Sequence, residues 1–416
     1  MYNEYLNFFL LFLSFIVTIV TIGITSFRNI DIFSPVKVFL LFNIFFYIDI
    51  YFSKYDSIIV ALYLSQCSIL LVLSLIEPKR LNVKRMKFRC NHYNKVIISI
   101  WFFSTISILN QLYLIYDLGG IVPYVANIAY RVEYFKGKGY LSVLNTWMAI
   151  FNVIYFTYLL SKEGKKGKKY ILFFLHSLFF VIIALISGSR SFLLMTFLVN
   201  IMIFNYHTNR VTYKKLILLG GVIVFLVGLL GTVRNSINTN DGYIQINESK
   251  EFKLDSTHFR YGLMPLEIIF AAKQKNKHYG LTYLSFFTNF IPRKILHNKP
   301  DTGGLVFTKE YTGDRWGGRS NLATGAITEG IMNFGDEVGV VFGLFSIGLF
   351  FFIGIVFYKQ LINKKEPSCF ELIIYVYVIL SFSRYSYSDF SYLFFSLFVN
   401  IIIPLTLIKL ISSIKV

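Results

Sequence analysis

The sequence predicts an all-α polytopic membrane protein of about eleven transmembrane helices, with one large extracytoplasmic loop carrying short helices. Three observations predict it. Hydrophobic residues make up 55% of the 416, and charged ones only 15%, where a soluble domain carries about 25%. Apolar runs recur at lengths that cover a bilayer core of roughly 30 Å, which takes about 20 residues per helix. The surplus of Lys and Arg, a formal net charge of +19, is gathered in alternate connections between those runs, as cytoplasmic loops require.

The runs at 6–24, 33–52, 56–76, 95–116, 141–160, 169–187, 191–206, 215–233, 338–358, 370–384 and 389–411 each read as one span. The first lies inside MYNEYLNFFLLFLSFIVTIVTIG. It has neither a basic leader nor a small-residue cleavage site, so it reads as a retained span. The runs at 191–206 and 370–384 are short and fit tilted or half-buried helices. Away from their ends the spans are nearly uncharged, apart from Lys37 and Asp49.

Sidedness follows from the connections. EPKRLNVKRMKFRCNHYNK (77–95) is densely basic and is expected in the cytoplasm. Every second connection after it, KEGKKGKK (162–169), HTNRVTYKK (207–215) and KQLINKKE (359–366), is basic too. This alternation places the N-terminus outside and the C-terminus, with Lys409 and Lys415, in the cytoplasm. The chain then divides into an N-terminal membrane bundle of about eight spans (1–233), an extracytoplasmic loop (234–337) and C-terminal membrane helices (338–416). Connections 117–139, 187–190 and 384–389 share the outer face with the long loop. Within that loop, 257–274 has helical apolar spacing. GLTYLSFFTNFIP (280–292) is too short to span and reads as an interfacial or re-entrant helix stopped by Pro292. No internal repeat is visible.

Composition and motifs exclude several functions. The positive charge belongs to loops beside a membrane, so nucleic acid is not an expected partner. There is no Walker loop, no HExxH, no GxGxxG after a strand and no Asp-x-Asp pair. His258, His278 and His297 are isolated, so no metal site and no cofactor is expected. Cys67, Cys90 and Cys369 are far apart and predict neither a disulfide framework nor a metal cluster.

What recurs is arginine at the outer ends of spans. Arg190 follows the sixth run, Arg234 the eighth, and Arg384 ends the tenth; the long loop adds Arg260, Arg293, Arg315 and Arg319. Each alone reads equally as a snorkelling anchor. As a set they run against the positive-inside bias. Guanidinium forks at a low-dielectric border suit a phosphate or pyrophosphate through paired, charge-assisted hydrogen bonds. The second constellation is GRSNLATGAITEGIMNFGDEVG (318–339), where Glu329 stands alone among apolar neighbours. It reads either as a general base of raised pKa or as a helix-end carboxylate capped by backbone N–H groups. Asp389 is a weaker alternative base. Trp316, Tyr311, Tyr283 and Phe287 can stack on sugar rings or anchor at the interface.

With GSR at the outer end of a middle span, the long late loop, IPRKILHNKP inside it and E-G-x-x-N-F-G at 329–335, the chain resembles the Wzy-type O-antigen and capsule oligosaccharide repeat-unit polymerases over roughly residues 180–390. Arg-x10-Gly spacings at Arg293–Gly304 and Arg319–Gly330 resemble that family too, although both fall in one loop. The resemblance implies metal-independent glycosyl transfer at the outer face of a bacterial inner or plasma membrane. The donor would be a glycan on undecaprenyl pyrophosphate, the acceptor a lipid-linked repeat unit, and the product O-antigen, capsule or exopolysaccharide. Membrane lipids and a chain-length regulator are the further partners it implies. The arginines would hold phosphates and Glu329 take the acceptor's proton. Pro292, the basic residues after it and the pair Gly303–Gly304 read either as an ordinary external turn or as a flexible cationic flap over the pyrophosphate. An O-antigen ligase is the nearest alternative, but no His here has Gly eleven residues on. A lipid-linked oligosaccharide flippase is the alternative of another class.

Overall fold

The computed structural model describes residues 2–81, 86–126, 139–162, 167–187, 190–208, 211–218, 220–221, 237–240, 243–246, 260–291, 295–312 and 322–413. Among these, seven helices are long and apolar enough to cross a membrane: Glu4–Arg28, Ser57–Ile76, Tyr93–Asp117, Tyr140–Ser161, Gly167–Ile186, Asp336–Asn363 and Phe390–Ser413. Each coincides with an expected span. Phe192–Thr208 and Cys369–Ser383 are apolar but shorter, as are the two shortest runs in the sequence. Most of the expected run 215–233 lies outside the described residues.

In chain order the helices are α1 Tyr2–Arg28, α2 Pro35–Tyr47, α3 Ser57–Ile76, α4 Tyr93–Asp117, α5 Ile121–Ala126, α6 Gly139–Ser161, α7 Gly167–Ile186 and α8 Arg190–Thr208. The long loop carries α9 Leu263–Ala271, α10 Leu281–Thr288, α11 Gly303–Tyr311 and α12 Ala326–Phe334. The C-terminal helices are α13 Asp336–Asn363, α14 Cys369–Ser383, α15 Phe390–Leu397 and α16 Ile403–Ser413, the last two joined by a π turn, Phe398–Ile402. Among the described residues the chain is all-α, as expected, with one short antiparallel hairpin beside the helices. It pairs β1 Ile237–Asn240 with β2 Tyr243–Ile246, Ile237 opposite Ile246.

Two compact units are interleaved along the sequence. The first comprises Met1–Val83, Leu254–Asn363 and Tyr377–Leu397; the second comprises Lys84–Lys253, Lys364–Val376 and Phe398–Val416.

In the first unit α1 turns a stripe of small polar residues inward. Ser14, Thr18, Thr21 and Thr25 are buried, while Phe8, Phe9, Phe12 and Phe15 are exposed. Small residues let helices approach closely without a hydrophobic drive between them. Thr18 reaches Cys67 of α3 (3.6 Å), and Ser14 meets Tyr51 (3.1 Å). The expected span 33–52 is broken. After Tyr47 the helix tightens into a 3-10 turn, Ile48–Tyr51. Buried Asp49 takes hydrogen bonds there from Tyr55 Oη (2.5 Å) and Ser53 Oγ (3.1 Å). Together the two pieces rise about 27 Å, enough to connect two ends of the unit. At one end Arg80 pairs with buried Asp31 (3.0 Å), which also accepts from Tyr358 Oη (2.9 Å). Glu77 Oε1 accepts Val36 N–H at the start of α2 (3.0 Å). The C-terminal ends of α1, α3 and α13 and the N-terminal end of α2 are thereby tied together. At the other end Asn7 bonds the Tyr55 carbonyl (3.0 Å), and Tyr47 Oη donates to the Ser386 carbonyl (3.1 Å).

In the second unit, polar side chains link α4, α6 and α7. Asn110 donates to Asn145 (2.7 Å), and Asn145 donates to Gln111 (2.6 Å). His176 lies between Ser104 (2.9 Å) and Asn152 (3.3 Å). At the π turn the Val399 carbonyl accepts Trp147 Nε1–H (3.0 Å), an acceptor of the kind such turns free. The expectation of three unrelated cysteines is corrected here. Cys90 and Cys369 form a disulfide with Cα atoms 5.6 Å apart, across 279 residues of sequence. Only Cys67 stays free.

Candidate functional site

The first unit holds Glu329 in the middle of α12, fully buried. Its position follows from the 329–335 run, each of whose distinctive residues has a local task. The Gly335 backbone has φ 85°, which closes α12 and sends the chain directly into α13. Gly330, with Gly339 and Gly343 of α13, lets the two helices meet backbone to backbone; a Cβ on Gly343 would sit 2.6 Å from Ile327 Cα. Asn333 donates to the Glu329 carbonyl (2.8 Å) and to Thr282 Oγ1 (2.7 Å), and accepts from Gly280 N–H (2.9 Å). Phe334 stacks on Tyr283, with centroids 6.1 Å apart. α10 is thereby held against α12.

Both carboxylate oxygens of Glu329 are bonded. Thr282 Oγ1 donates to Oε1 (2.8 Å), and Phe390 N–H donates to Oε2 (2.7 Å). The second donor is the first N–H of α15, a group with no partner inside its own helix. Asp389 precedes that helix and accepts the Tyr392 N–H (3.1 Å), as an N-capping carboxylate does. It also receives the Gly304 N–H. Two buried carboxylates therefore share the positive end of one helix. Gly303 lies against both. A Cβ there would fall 2.6 Å from Glu329 Oε1 and 3.1 Å from Asp389 Cβ, so glycine is required by the close approach.

Burial raises the pKa of Glu329, and repulsion from Asp389 raises it further. Burial also raises Asp389, opposed by its backbone N–H donors. The pair accordingly favours holding one proton, with Glu329 the stronger proton holder. Tyr283 adds a hydroxyl that is buried without a hydrogen-bond partner, and Thr328 on α12 adds another. The chemistry available is storage and exchange of a proton.

Of the sequence candidates, Arg384 lies on the 384–389 elbow that leads to Asp389. Its Nε is buried without a hydrogen-bond partner. Arg260 is engaged elsewhere, paired with Glu267 at 2.6 Å. Arg190 begins α8, with only its backbone described. Arg234, Arg293, Arg315 and Arg319, with Trp316, lie outside the described residues. Tyr311 stacks on Phe307 (5.8 Å), while Phe287 is exposed. His278 pairs with Glu310 (3.1 Å). Gly303 and Gly304 are both buried and open α11, which favours neither a flexible pair nor a simple turn there, because the Asp389 contact needs that backbone in place. Thr282, Asn333 and the pairing of Asp389 with Glu329 were not foreseen. Asn333 stands four residues after Glu329 in the quoted run, but Thr282 and Asp389 carry no spacing signal, since Asp389 is brought back by two intervening helices.

No protein-family model, curated protein or solved structure matches the chain.

Proposed function

We propose that the chain is a metal-independent membrane glycosyltransferase that joins undecaprenyl-pyrophosphate-linked oligosaccharide repeat units. In this reading it works at the outer face of a bacterial inner or plasma membrane, with about eleven spans and its C-terminus in the cytoplasm. The observation that carries the reading is the buried Glu329–Asp389 pair, placed directly after the elbow that holds Arg384. Two carboxylates buried side by side are costly to keep, and carboxylates so perturbed by burial and by each other are candidates for a functional site.

An acceptor hydroxyl attacks the anomeric carbon of the donor glycan. The new C–O bond forms as the bond to the pyrophosphate oxygen breaks, and undecaprenyl pyrophosphate leaves with the electron pair. A pair that holds one proton has one carboxylate left to receive the hydroxyl's proton. Glu329 is sealed, with both oxygens bonded, whereas Asp389 keeps 5% exposure. Asp389 is thus the member that meets the hydroxyl, and Glu329 the one that tunes it. Arg384, with the other outer-face arginines, holds the phosphates.

The test is glycan analysis in a deletion strain complemented with variants. Glu329→Gln and Asp389→Asn are each expected to reduce laddered polymer by about 100-fold or more, the usual worth of a general base. Single lipid-linked units should accumulate at the outer face. Intact ladders that never reach their final acceptor would instead identify a ligase. One observation favours a second reading: a carboxylate pair so fully enclosed also suits a proton-coupled carrier of lipid-linked oligosaccharide. Accumulation of single units at the inner face would select it. If both carboxylate variants and Arg384→Ala leave the glycan unchanged, the site assignment fails.

A further inference from the structure

The second unit carries a group of reactive side chains apart from the carboxylate pair. The backbone around Cys90 is laid alongside that around Cys369: Arg89 N–H donates to the Pro367 carbonyl (3.0 Å), and Cys369 N–H donates to the Arg89 carbonyl (3.3 Å). This bridge fixes the two Cα atoms at 5.6 Å, inside the range a disulfide accepts. Cys90 is half-buried and Cys369 fully buried. Ser161 Oγ lies 3.4 Å from Cys369 Sγ and 2.7 Å from His207 Nε2. His207 Nδ1 lies 3.0 Å from the Ile203 carbonyl, a contact that needs the proton on Nδ1 and, in the neutral ring, leaves Nε2 as an acceptor. Ser161 Oγ also lies 3.0 Å from the Thr157 carbonyl. The hydroxyl can therefore pass a proton to neutral His207, then turn to Thr157 and accept from the imidazolium. Phe88 covers the imidazole at 4.6 Å between centroids.

Cys90 lies within the basic segment 77–95 and Cys369 just after the basic segment 359–366, both of which the charge pattern expects in the cytoplasm. Thiols there are kept reduced. We propose that Cys90 and Cys369 form a reversible oxidation site, in which Cys90 attacks, Cys369 resolves, and the Ser161–His207 pair accepts the resolving thiol's proton.

The oxidant class is a low-molecular-weight disulfide. Cys90 thiolate attacks one sulfur of it, and one thiolate departs and takes up a proton. Cys369 loses its proton through Ser161 to His207 and attacks the Cys90 sulfur. The second small thiol leaves with that proton. Two electrons pass from the two cysteines to the oxidant, giving one protein disulfide and two small thiols.

The experiment uses the full chain, alkylated in acid-quenched cells and, separately, purified in detergent and treated with glutathione disulfide. Peptide mass mapping reads each cysteine. Untreated cells are expected to yield Cys90 and Cys369 both alkylated. Treatment should remove both thiols in parallel, join the two peptides within one chain, and reverse with reduced glutathione. In His207→Gln, closure should slow by on the order of tenfold or more, with the glutathione adduct on Cys90 accumulating while the Cys90 attack rate is unchanged. A disulfide already present in untreated cells overturns the proposal and places these segments outside. Separate glutathione adducts on the two cysteines that never join overturn it as well. Closure at the wild-type rate in His207→Gln removes the proton-accepting role.

Discussion

Glu329 is bound by donors of two kinds, a hydroxyl on α10 and the leading N–H of α15. Glutamine can keep one of these contacts and turn its amide toward the other, whereas alanine leaves both donors without an acceptor. Glu329→Gln is therefore the informative variant. The free energy of its ionisation also has a definite sign. Burial and Asp389 raise the Glu329 pKa above the ordinary value of about 4.3. Between the two values the folded chain keeps a proton that the unfolded chain has released. Stability linked to that proton is complete below the ordinary value and is lost as pH rises through the raised one, on the order of 1.4 kcal/mol per pH unit for one proton. Asp389 is shifted in the same direction and steepens the loss. The melting temperature of detergent-solubilised protein should fall as pH rises above the carboxylate range, and Glu329→Gln should flatten the fall. Equal slopes in the two proteins would reject Glu329 as the proton holder.

At the scale of elements, α12 meets α13 through backbone contact rather than side-chain interdigitation. A Cβ on Gly339 would land on the Gly330 carbonyl and 2.5 Å from Ile331 Cα, but one on Gly348, farther along α13, would meet only Ile69 Cγ2 at 3.5 Å. The same substitution should then act oppositely on one helix. Gly339→Ala should destabilise by about 1–3 kcal/mol through overpacking; Gly348→Ala should be neutral or gain up to about 1 kcal/mol of helix propensity. Amide exchange across 326–334 reads the difference, and equal protection in both variants would refute close packing as the anchor of α12. This packing also marks the limit of what sequence reading reaches. Hydropathy locates the seven long helices because lipid solvation acts residue by residue. It misses the break after Tyr47, where one Asp49 carboxylate recruits Tyr55 and Ser53. Glu329 stands out as a lone acid in an apolar run. Its partner Asp389 and the Cys90–Cys369 pair arise from tertiary approach, which leaves no periodic trace.

At the scale of the molecule, the charge pattern and the geometry of the first unit bear on the same question. The Asp31–Arg80–Tyr358 cluster gathers the C-terminal ends of α1, α3 and α13, the ends that the basic connections assign to the cytoplasm. α13 is the sharpest probe, because its 28 residues reach about 42 Å and exceed the bilayer core even when tilted. Asp336 and Glu337 occupy its first turn, and Lys359, Lys364 and Lys365 follow its apolar stretch. The helix dipole favours acids at the first end and bases at the last, and insertion favours the bases inside. Both forces favour the same orientation of α13, and the proposed topology requires residues on its two sides to face opposite compartments. Reporter fusions after residue 300 should be active only if exported, and fusions after residue 365 only if cytoplasmic. Finding both on one face would mean that α13 does not cross. If both were cytoplasmic, the outer-face placement of Glu329 and Asp389 on which the proposed transfer depends would fail as well; if both were exported, the cytoplasmic placement of Cys369 would fail instead.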